Sequence, residues 1–142
     1  MLISTKGRYA LRVMAEIAAD ETGEYVPLAK IAEDQNISMK YLESIVVLLS
    51  KAGQLDGKRG KNGGYRLNRK ASEYTVAEIL EITEGGLAPV TCLEGSRNLC
   101  ARANTCITLP VWEGLNKVIK DYLESITLED IEKQKAAFNI EI

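Results

Sequence analysis

Three cysteines are the residues of this sequence best suited to chemistry, and they lie close together. Cys92, Cys100 and Cys106 fall within the stretch CLEGSRNLCARANTC, and the rest of the 142-residue chain contains no thiol. Thiolates bind soft metal ions or undergo redox reactions. An odd number of cysteines argues against a closed set of disulfides. The chain also has no histidine, which removes the usual partner of a reactive cysteine.

The spacing of the cysteines narrows the kinds of site that they can form. Seven residues separate Cys92 from Cys100, and five separate Cys100 from Cys106. Structural zinc normally takes four ligands that include a C-x2-C pair, and thiol oxidoreductases use a C-x-x-C or Cys–His pair. Iron–sulfur clusters accept wider spacing and a non-cysteine ligand. A cluster, a thiol that senses oxidation and cysteines without a chemical role remain open.

Composition and hydropathy limit the class of protein. The length suits one domain with its own core, and 46% of the residues are hydrophobic, as in globular proteins. The longest apolar run, IVVLL at 45–49, is far too short for a transmembrane helix. The first residues lack the pattern of a secretory signal peptide, so we predict a cytoplasmic protein. No phosphate-binding loop or paired-carboxylate motif is recognisable, and we expect no enzyme.

Charge is divided unevenly along the chain. Residues 1–70 carry twelve Lys or Arg and eight Asp or Glu, whereas residues 71–142 carry six and twelve. Within 51–70 there are seven basic residues and one acid, Asp56. A basic patch on a globally acidic chain is typical of a polyanion-binding site, such as one for a nucleic-acid backbone. A solvated charged loop is the alternative that charge alone leaves open.

The elements that must position these residues are mainly helical. Apolar residues recur at helical spacing, and a glycine-rich turn, RGKNGG, separates two short alternating stretches. Ser4 or Thr5 caps the first helix, Ser38 the third, and the pairs Thr75–Glu78 and Thr127–Asp130 are capping boxes. The expected elements are helices from 5 to about 20, 28–35, 39–52, 76–84, 109–125 and 127 to about 138, with strands 54–58 and 65–68.

Three helices followed by a β-hairpin and further helices predict a mainly α, winged helix-turn-helix fold. The third helix is roughly 21 Å long at ~1.5 Å per residue and fits a major groove. The hairpin tip places Lys58, Arg59 and Lys61 beside Gly60, and such an arginine suits a narrow minor groove. We expect a DNA-binding domain at 1–84, a sensor loop at 85–108, called here the cysteine segment, and dimerisation helices at 109–142.

Three blocks of the sequence carry a specific resemblance. STKGRYALRVM at 4–14, ISMKYLESI at 37–45 and KRGKNGGYRL at 58–67 resemble the Rrf-type family of winged helix-turn-helix transcriptional regulators, closest to its IscR-like members. The likeness extends over nearly the whole chain. It implies a homodimeric repressor-type regulator that binds a palindromic operator in double-stranded DNA. The DNA-binding residues that it implies, with the basic tip included, are Lys6, Arg8, Tyr9, Ser38, Lys40, Tyr41, Glu43, Lys58, Arg59, Gly60 and Lys61.

The resemblance also implies roles for these residues and for the cysteines. Glu43 matches a base-contacting glutamate, and Arg59 matches a minor-groove arginine. Cys92, Cys100 and Cys106 match cysteines that hold an iron–sulfur cluster, 2Fe–2S in preference to 4Fe–4S. The chain departs from the IscR-like pattern, which has a histidine where Leu109 stands. It departs from NsrR-like members, which have an aspartate where Arg8 stands.

The fourth cluster ligand therefore has no assigned residue. Glu94, Glu84, a backbone group, an exogenous thiol or no ligand at all remain open. Regulation by a partner protein or by thiol oxidation, without a cluster, is the alternative to cluster sensing. CymR-like members lack the three cysteines and act through a partner, so the presence of the cysteines favours the cluster.

Overall fold

The computed structural model of this chain describes residues 2–141, and the side chains of residues 2–134. The predicted helices and hairpin form within one or two residues of their expected ends, except that the last helix ends at Glu141 and not at about 138. The elements are α1 Thr5–Ala19, α2 Leu28–Gln35, α3 Met39–Lys51, β1 Leu55–Lys58, β2 Gly64–Leu67, α4 Val76–Glu84, α5 Leu109–Glu124 and α6 Leu128–Glu141. Among the described residues, none of these helices has the length and apolar character needed to cross a membrane.

Side-chain caps fix where three helices begin. The Ser4 hydroxyl accepts from the Gly7 N–H at 3.0 Å, and the Ser38 hydroxyl accepts from the Tyr41 N–H at 3.2 Å. Thr127 and Asp130 form the complete capping box of α6, with reciprocal bonds of 2.9 and 3.2 Å. These bonds satisfy N–H groups that have no partner within a helix. The sequence signals for these helix starts are confirmed.

The predicted capping box of α4 forms only in part. The Thr75 hydroxyl accepts from the Glu78 N–H at 3.1 Å, as expected. The Glu78 carboxylate instead accepts from Arg69 at 3.0 Å and from Gln54 at 3.2 Å. A charged donor is a stronger partner than a backbone N–H, so the Glu78 carboxylate binds Arg69 and not the backbone N–H at the start of its own helix.

The hydrophobic core joins the three N-terminal helices to the wing and to the C-terminal helix. Its largest fully buried side chains are Tyr74, which precedes α4, and residues of α1, α2, α3, α4 and α6: Val13, Met14, Ile31, Leu42, Ile45, Val46, Leu49, Ile79 and Leu128. Leu128 shows that α6 returns to pack on the same core as α1. The division into segments 1–84, 85–108 and 109–142 stays a prediction.

The β-hairpin, residues 55–67, is called here the wing, and it pairs with a third segment of chain. Val26 and Tyr65 exchange two backbone hydrogen bonds of 2.8 and 2.9 Å. Strand β2 begins at Gly64, one residue earlier than predicted, because Gly64 pairs with Lys58 of β1. A Cβ on Gly64 would lie 2.1 Å from the Val26 carbonyl oxygen, so the pairing requires glycine. At the tip, Gly60 and Asn62 adopt positive φ, at 87° and 64°.

Candidate nucleic-acid interface and cysteine segment

Helix α3 divides into a buried face and an exposed face. Leu42, Ile45, Val46 and Leu49 point into the core, as their helical spacing predicts. The exposed face, called here the recognition face, consists of Met39, Lys40, Glu43, Ser44 and Val47. These positions recur every three to four residues, so they form one continuous stripe on the helix. The predicted contact residues Lys40 and Glu43 both lie in this stripe.

The start of α3 is fixed against α1 by two tyrosines. The rings of Tyr9 and Tyr41 meet edge to face, with centroids 5.8 Å apart, and both pack on the core. The Arg12 guanidinium lies 4.9 Å from the centre of the Tyr9 ring. It also donates to the side chain and backbone carbonyl oxygens of Gln35 in α2, both at 2.9 Å. The three helices of the predicted helix-turn-helix unit are thereby held in one arrangement.

The predicted residues of α1 lie on different sides of that helix. Lys6 is half-buried and lies one turn before Tyr9, so both occupy the side of α1 that faces α3. Arg8 is exposed and lines an apolar groove with Leu11 and Ile131. Its guanidinium donates to the Thr5 hydroxyl at 3.2 Å. The structure therefore does not bring Arg8 together with Lys6.

The wing presents cations at its tip and along one edge. Lys58, Arg59 and Lys61 are exposed around the turn. The guanidinium of Arg66 lies 4.3 Å from the centre of the Tyr25 ring, and the Lys58 ammonium lies 5.7 Å from it. Cation–π contacts hold such side chains in place without neutralising their charge. Sequence reasoning missed Tyr25 and Arg66, because the contact depends on the pairing of Val26 with the wing.

A buried polar network fixes the base of the wing. The Tyr74 side chain is fully buried, and its hydroxyl donates to the Gln54 carbonyl at 2.8 Å or to Asn68 Oδ1 at 2.9 Å. The same hydroxyl accepts from the Asn68 N–H at 3.0 Å. Arg69 lies 4.1 Å from the Tyr74 ring centre and forms an ion pair with Glu78 at 3.0 Å. The wing is therefore connected to α4 as well as to α3.

None of the candidate DNA-binding cations has an ion-pair partner among the described side chains. Within the part of the chain whose side chains are described, ion pairs engage Lys30, Arg69, Lys117, Lys120 and Lys133. None of them includes a predicted DNA-binding residue: Lys6, Arg8, Lys40, Lys58, Arg59 or Lys61. Arg69 is the member of the basic stretch 51–70 that is paired internally. Unpaired cations at helix and hairpin surfaces give a positive potential that attracts phosphate groups.

The cysteine segment begins with the Gly85–Gly86 pair and has little regular structure. Cys92 and Cys106 are half-buried, Cys100 is exposed, and all three are free thiols. Among the described residues, no three metal-binding side chains form a group that could hold a metal ion. The Thr108 hydroxyl lies 3.4 Å from the Cys106 sulfur, and its hydrogen bond holds the pKa of that thiol below its ordinary value. The arrangement offers accessible thiols rather than a preformed metal site.

Two candidate fourth ligands lie at the edge of this segment. Glu84 and Glu94 line an open cavity of about 370 Å³ together with Leu93 and Lys120. The Glu84 carboxylate already accepts hydrogen bonds from the Ser4 hydroxyl at 2.6 Å and from the Ser4 N–H at 3.1 Å. The choice between these carboxylates stays open.

Helix α5 exposes an apolar face. None of its residues is buried, although Trp112, Leu115, Val118 and Tyr122 follow one another at helical spacing. An apolar groove runs beside the end of α5 and is lined by Leu11, Leu80 and Tyr122 among others. Exposed apolar surface of this extent is typical of an interface between chains.

Comparison with known proteins agrees with this architecture. A family model described as Rrf2, iron-dependent transcriptional regulator, matches residues 3–134. The transcriptional regulator IscR of Pectobacterium atrosepticum is 34% identical over 99% of this chain and 84% of its own length.

Two solved structures share the fold. CymR, the global cysteine regulator of B. subtilis, matches with a TM-score of 0.78 at 34% identity, covering 94% of this chain and 98% of its own. T. potens IscR matches with a TM-score of 0.74 at 35% identity, covering 95% of this chain and 88% of its own. The predicted winged-helix fold is confirmed by these neighbours.

Proposed function

This chain belongs to the Rrf2 family of DNA-binding transcriptional regulators, and we propose that it binds a specific operator through the recognition face and the wing while its cysteines carry the signal. The protein is a regulator rather than an enzyme, as its relatives are. The observation that carries the proposal is the recognition face, where Lys40 and Glu43 are exposed and take part in no ion pair among the described side chains.

The residues of the interface divide into two chemical roles. Lys40, Lys6 and Lys61 bind phosphate oxygens, which gives affinity without sequence information. The Glu43 carboxylate accepts from cytosine N4 in the major groove, a contact that contributes about 1–3 kcal/mol of discrimination. Ser38 presents the N-terminus of α3, whose free N–H groups favour a phosphate. Tyr9 and Tyr41 position the two helices, and their hydroxyl groups supply further contacts to the backbone.

The wing tip contributes the second point of sequence readout. Arg59 stands beside Gly60, whose backbone adopts φ of 87° and lets the turn approach another surface closely. An arginine in a narrow minor groove gains from the concentrated negative potential there. Lys58 and Lys61 on either side bind the flanking phosphates.

Fluorescence anisotropy with two matched DNA duplexes tests this division of roles. The first duplex is selected by the protein from a random library, and the second is its scrambled sequence. Arg59→Ala is expected to weaken binding of the selected duplex severely, and Glu43→Ala to relax base preference more than it lowers affinity. Equal changes for both duplexes in both variants would mean that these residues do not read sequence.

A homodimer is the form that fits this function. The apolar face of α5, centred on Trp112, Leu115 and the half-buried Ile119, leaves Trp112 and Leu115 exposed and suits a second copy. Two-fold symmetry places two recognition helices on one face of DNA, which matches a palindromic operator.

An iron–sulfur cluster on Cys92, Cys100 and Cys106 is the signal that we propose for this regulator, with 2Fe–2S preferred. The donor set fits such a group, because three accessible thiols share one segment, although that segment must rearrange to bring them together. The cluster supplies iron–thiolate bonds that respond to oxidants and to iron supply. Likeness to IscR proteins supports this proposal.

Thiol oxidation without a cluster is the second candidate signal. It is favoured by the accessible Cys100 and by the hydrogen bond between Thr108 and the Cys106 thiol, which promotes the reactive thiolate. Likeness to CymR is compatible with this alternative. The visible absorption spectrum of protein purified without oxygen separates the two candidates. A brown protein supports the cluster, and a colourless one supports regulation without a cluster, by thiol oxidation or by a partner protein.

A further inference from the structure

Two residues of the recognition face are apolar and exposed. Met39 and Val47 each expose 43% of their surface, whereas every core position of α3 is fully buried. Met39, Glu43 and Val47 are spaced four residues apart, so they form one line along the helix with the carboxylate in the middle. Neither side chain is part of the hydrophobic core.

The surroundings of this line indicate the kind of partner that it contacts. Lys40 and Ser44 flank it, and neither Lys40 nor Glu43 has an ion-pair partner among the described side chains. A polar face that carries one cation, one carboxylate and two isolated apolar groups is unlike an apolar protein interface. Lys40 can bind a phosphate beside the major groove of DNA, and the groove itself exposes one apolar group, the C5-methyl of thymine.

We propose that Met39 and Val47 contact thymine methyl groups on opposite sides of the base that Glu43 contacts. This inference rests on the proposed DNA-binding role of the recognition face. Four helical residues span ~6 Å, which is about two base-pair steps at 3.4 Å when the helix lies along the groove. The two side chains are thus specificity-determining residues that select thymines flanking the base at Glu43.

Replacing thymine by deoxyuridine removes only the methyl group and therefore tests this contact directly. A duplex is first selected from a random library by the full-length protein, and each thymine is then replaced singly. Wild-type affinity is expected to fall about fourfold at two thymines, the effect of one buried methyl group. Val47→Ala should remove the effect at one of these positions and Met39→Ala at the other.

Two further variants control for general losses. Lys61→Ala, which removes a cation of the wing, should lower affinity for every duplex by a similar factor and keep both deoxyuridine effects. Val47→Thr keeps the shape of the side chain and one of its methyl groups, so it should reduce the effect in part. If Val47→Ala folds poorly, Val47→Thr replaces it as the variant that tests the contact of Val47.

Three outcomes separate this inference from the proposed function. If deoxyuridine has no effect at any thymine of a selected duplex, or if its effects persist in both alanine variants, the methyl contacts are wrong while DNA binding stands. Loss of each effect in its own variant supports the inference. If wild-type protein selects no duplex, the DNA-binding role of this face fails and the methyl contacts with it.

Discussion

Glu84, the last residue of α4, accepts two hydrogen bonds from Ser4, the residue that caps α1. The Ser4 N–H lies 3.1 Å and its hydroxyl 2.6 Å from Glu84 Oε1. Because Glu84 directly precedes the cysteine segment, the contact joins the beginning of that segment to the helix that carries Lys6 and Tyr9. A Cβ on Gly7 would lie 2.2 Å from the same carboxylate oxygen, so the contact requires glycine there.

Substitution at either end should break this contact. Glu84→Ala removes the carboxylate and is expected to lower the free energy of unfolding by about 1 kcal/mol. Gly7→Ala displaces the carboxylate but gains up to about 1 kcal/mol of helix propensity, so its loss should be smaller. The double variant should lose less than the sum, because both changes remove one interaction. Chemical denaturation of all three variants measures this. Gly114→Ala, at a helix glycine with open space around it, is the control and should not destabilise the protein. Additive losses would contradict a shared contact.

The buried network at the wing base should be sensitive to one hydroxyl group. Tyr74→Phe leaves the Gln54 carbonyl and the Asn68 side chain without this partner, and we expect a loss of about 1–3 kcal/mol in the free energy of unfolding. Tyr25→Phe is the matched control, since it keeps the ring beneath Arg66. Thermal unfolding measures both. Equal effects of the two substitutions would show that the Tyr74 hydroxyl is unimportant.

Glu16 should make stability depend on pH. Its side chain is 8% exposed, and burial together with the hydrogen bond to Asp34 raises the pKa of its carboxyl group. A carboxyl whose pKa is raised on folding favours the folded state at low pH, and this contribution is lost as pH rises through the raised pKa. Glu16→Gln should therefore stabilise the protein at pH 8 relative to wild type, and less so as pH is lowered. Urea unfolding across this range checks it, and a difference independent of pH would contradict it.

The proposed dimer should depend on the centre of α5. Leu115→Glu places a charge on the apolar face, so we expect monomers that also lose affinity for the operator. Lys117→Glu is the control, because it changes charge on the same helix away from the apolar line. Sedimentation of both variants measures the assembly. An intact dimer of Leu115→Glu would place the interface elsewhere.

Local signals in the sequence predicted the elements well. Ser4, Ser38 and the Thr127–Asp130 pair marked helix starts because caps depend on residues only a few positions apart. Contacts between distant segments were not predictable. The pairing of Val26 with the wing joins residues 39 positions apart. The Glu78 carboxylate was expected to cap its own helix, but Arg69 and Gln54, held near it by the wing, compete for it.

The candidate site was predictable to a similar degree. Helical spacing placed Lys40 and Glu43 on one exposed face. The same spacing predicts that Val47 is exposed, but Val47 was not among the predicted contact residues. Helical spacing could not predict that Arg8 and Lys6 have different neighbours, because those neighbours depend on how α1 packs against the other helices. The arrangement of the cysteines had no local signal, since the segment lacks helix or strand periodicity.

The proposal that the cysteine segment reports cluster status to the DNA-binding residues is tested most directly by operator affinity before and after anaerobic reconstitution with iron and sulfide. Iron and acid-labile sulfide are measured on the same samples, with Cys100→Ala beside wild type. We expect roughly two irons per wild-type chain, as for a 2Fe–2S cluster. We also expect roughly a tenfold change in its affinity, a typical size of allosteric coupling. Cys100→Ala should show neither. Negligible iron in both proteins, or loaded wild type with unchanged affinity, would contradict the proposal.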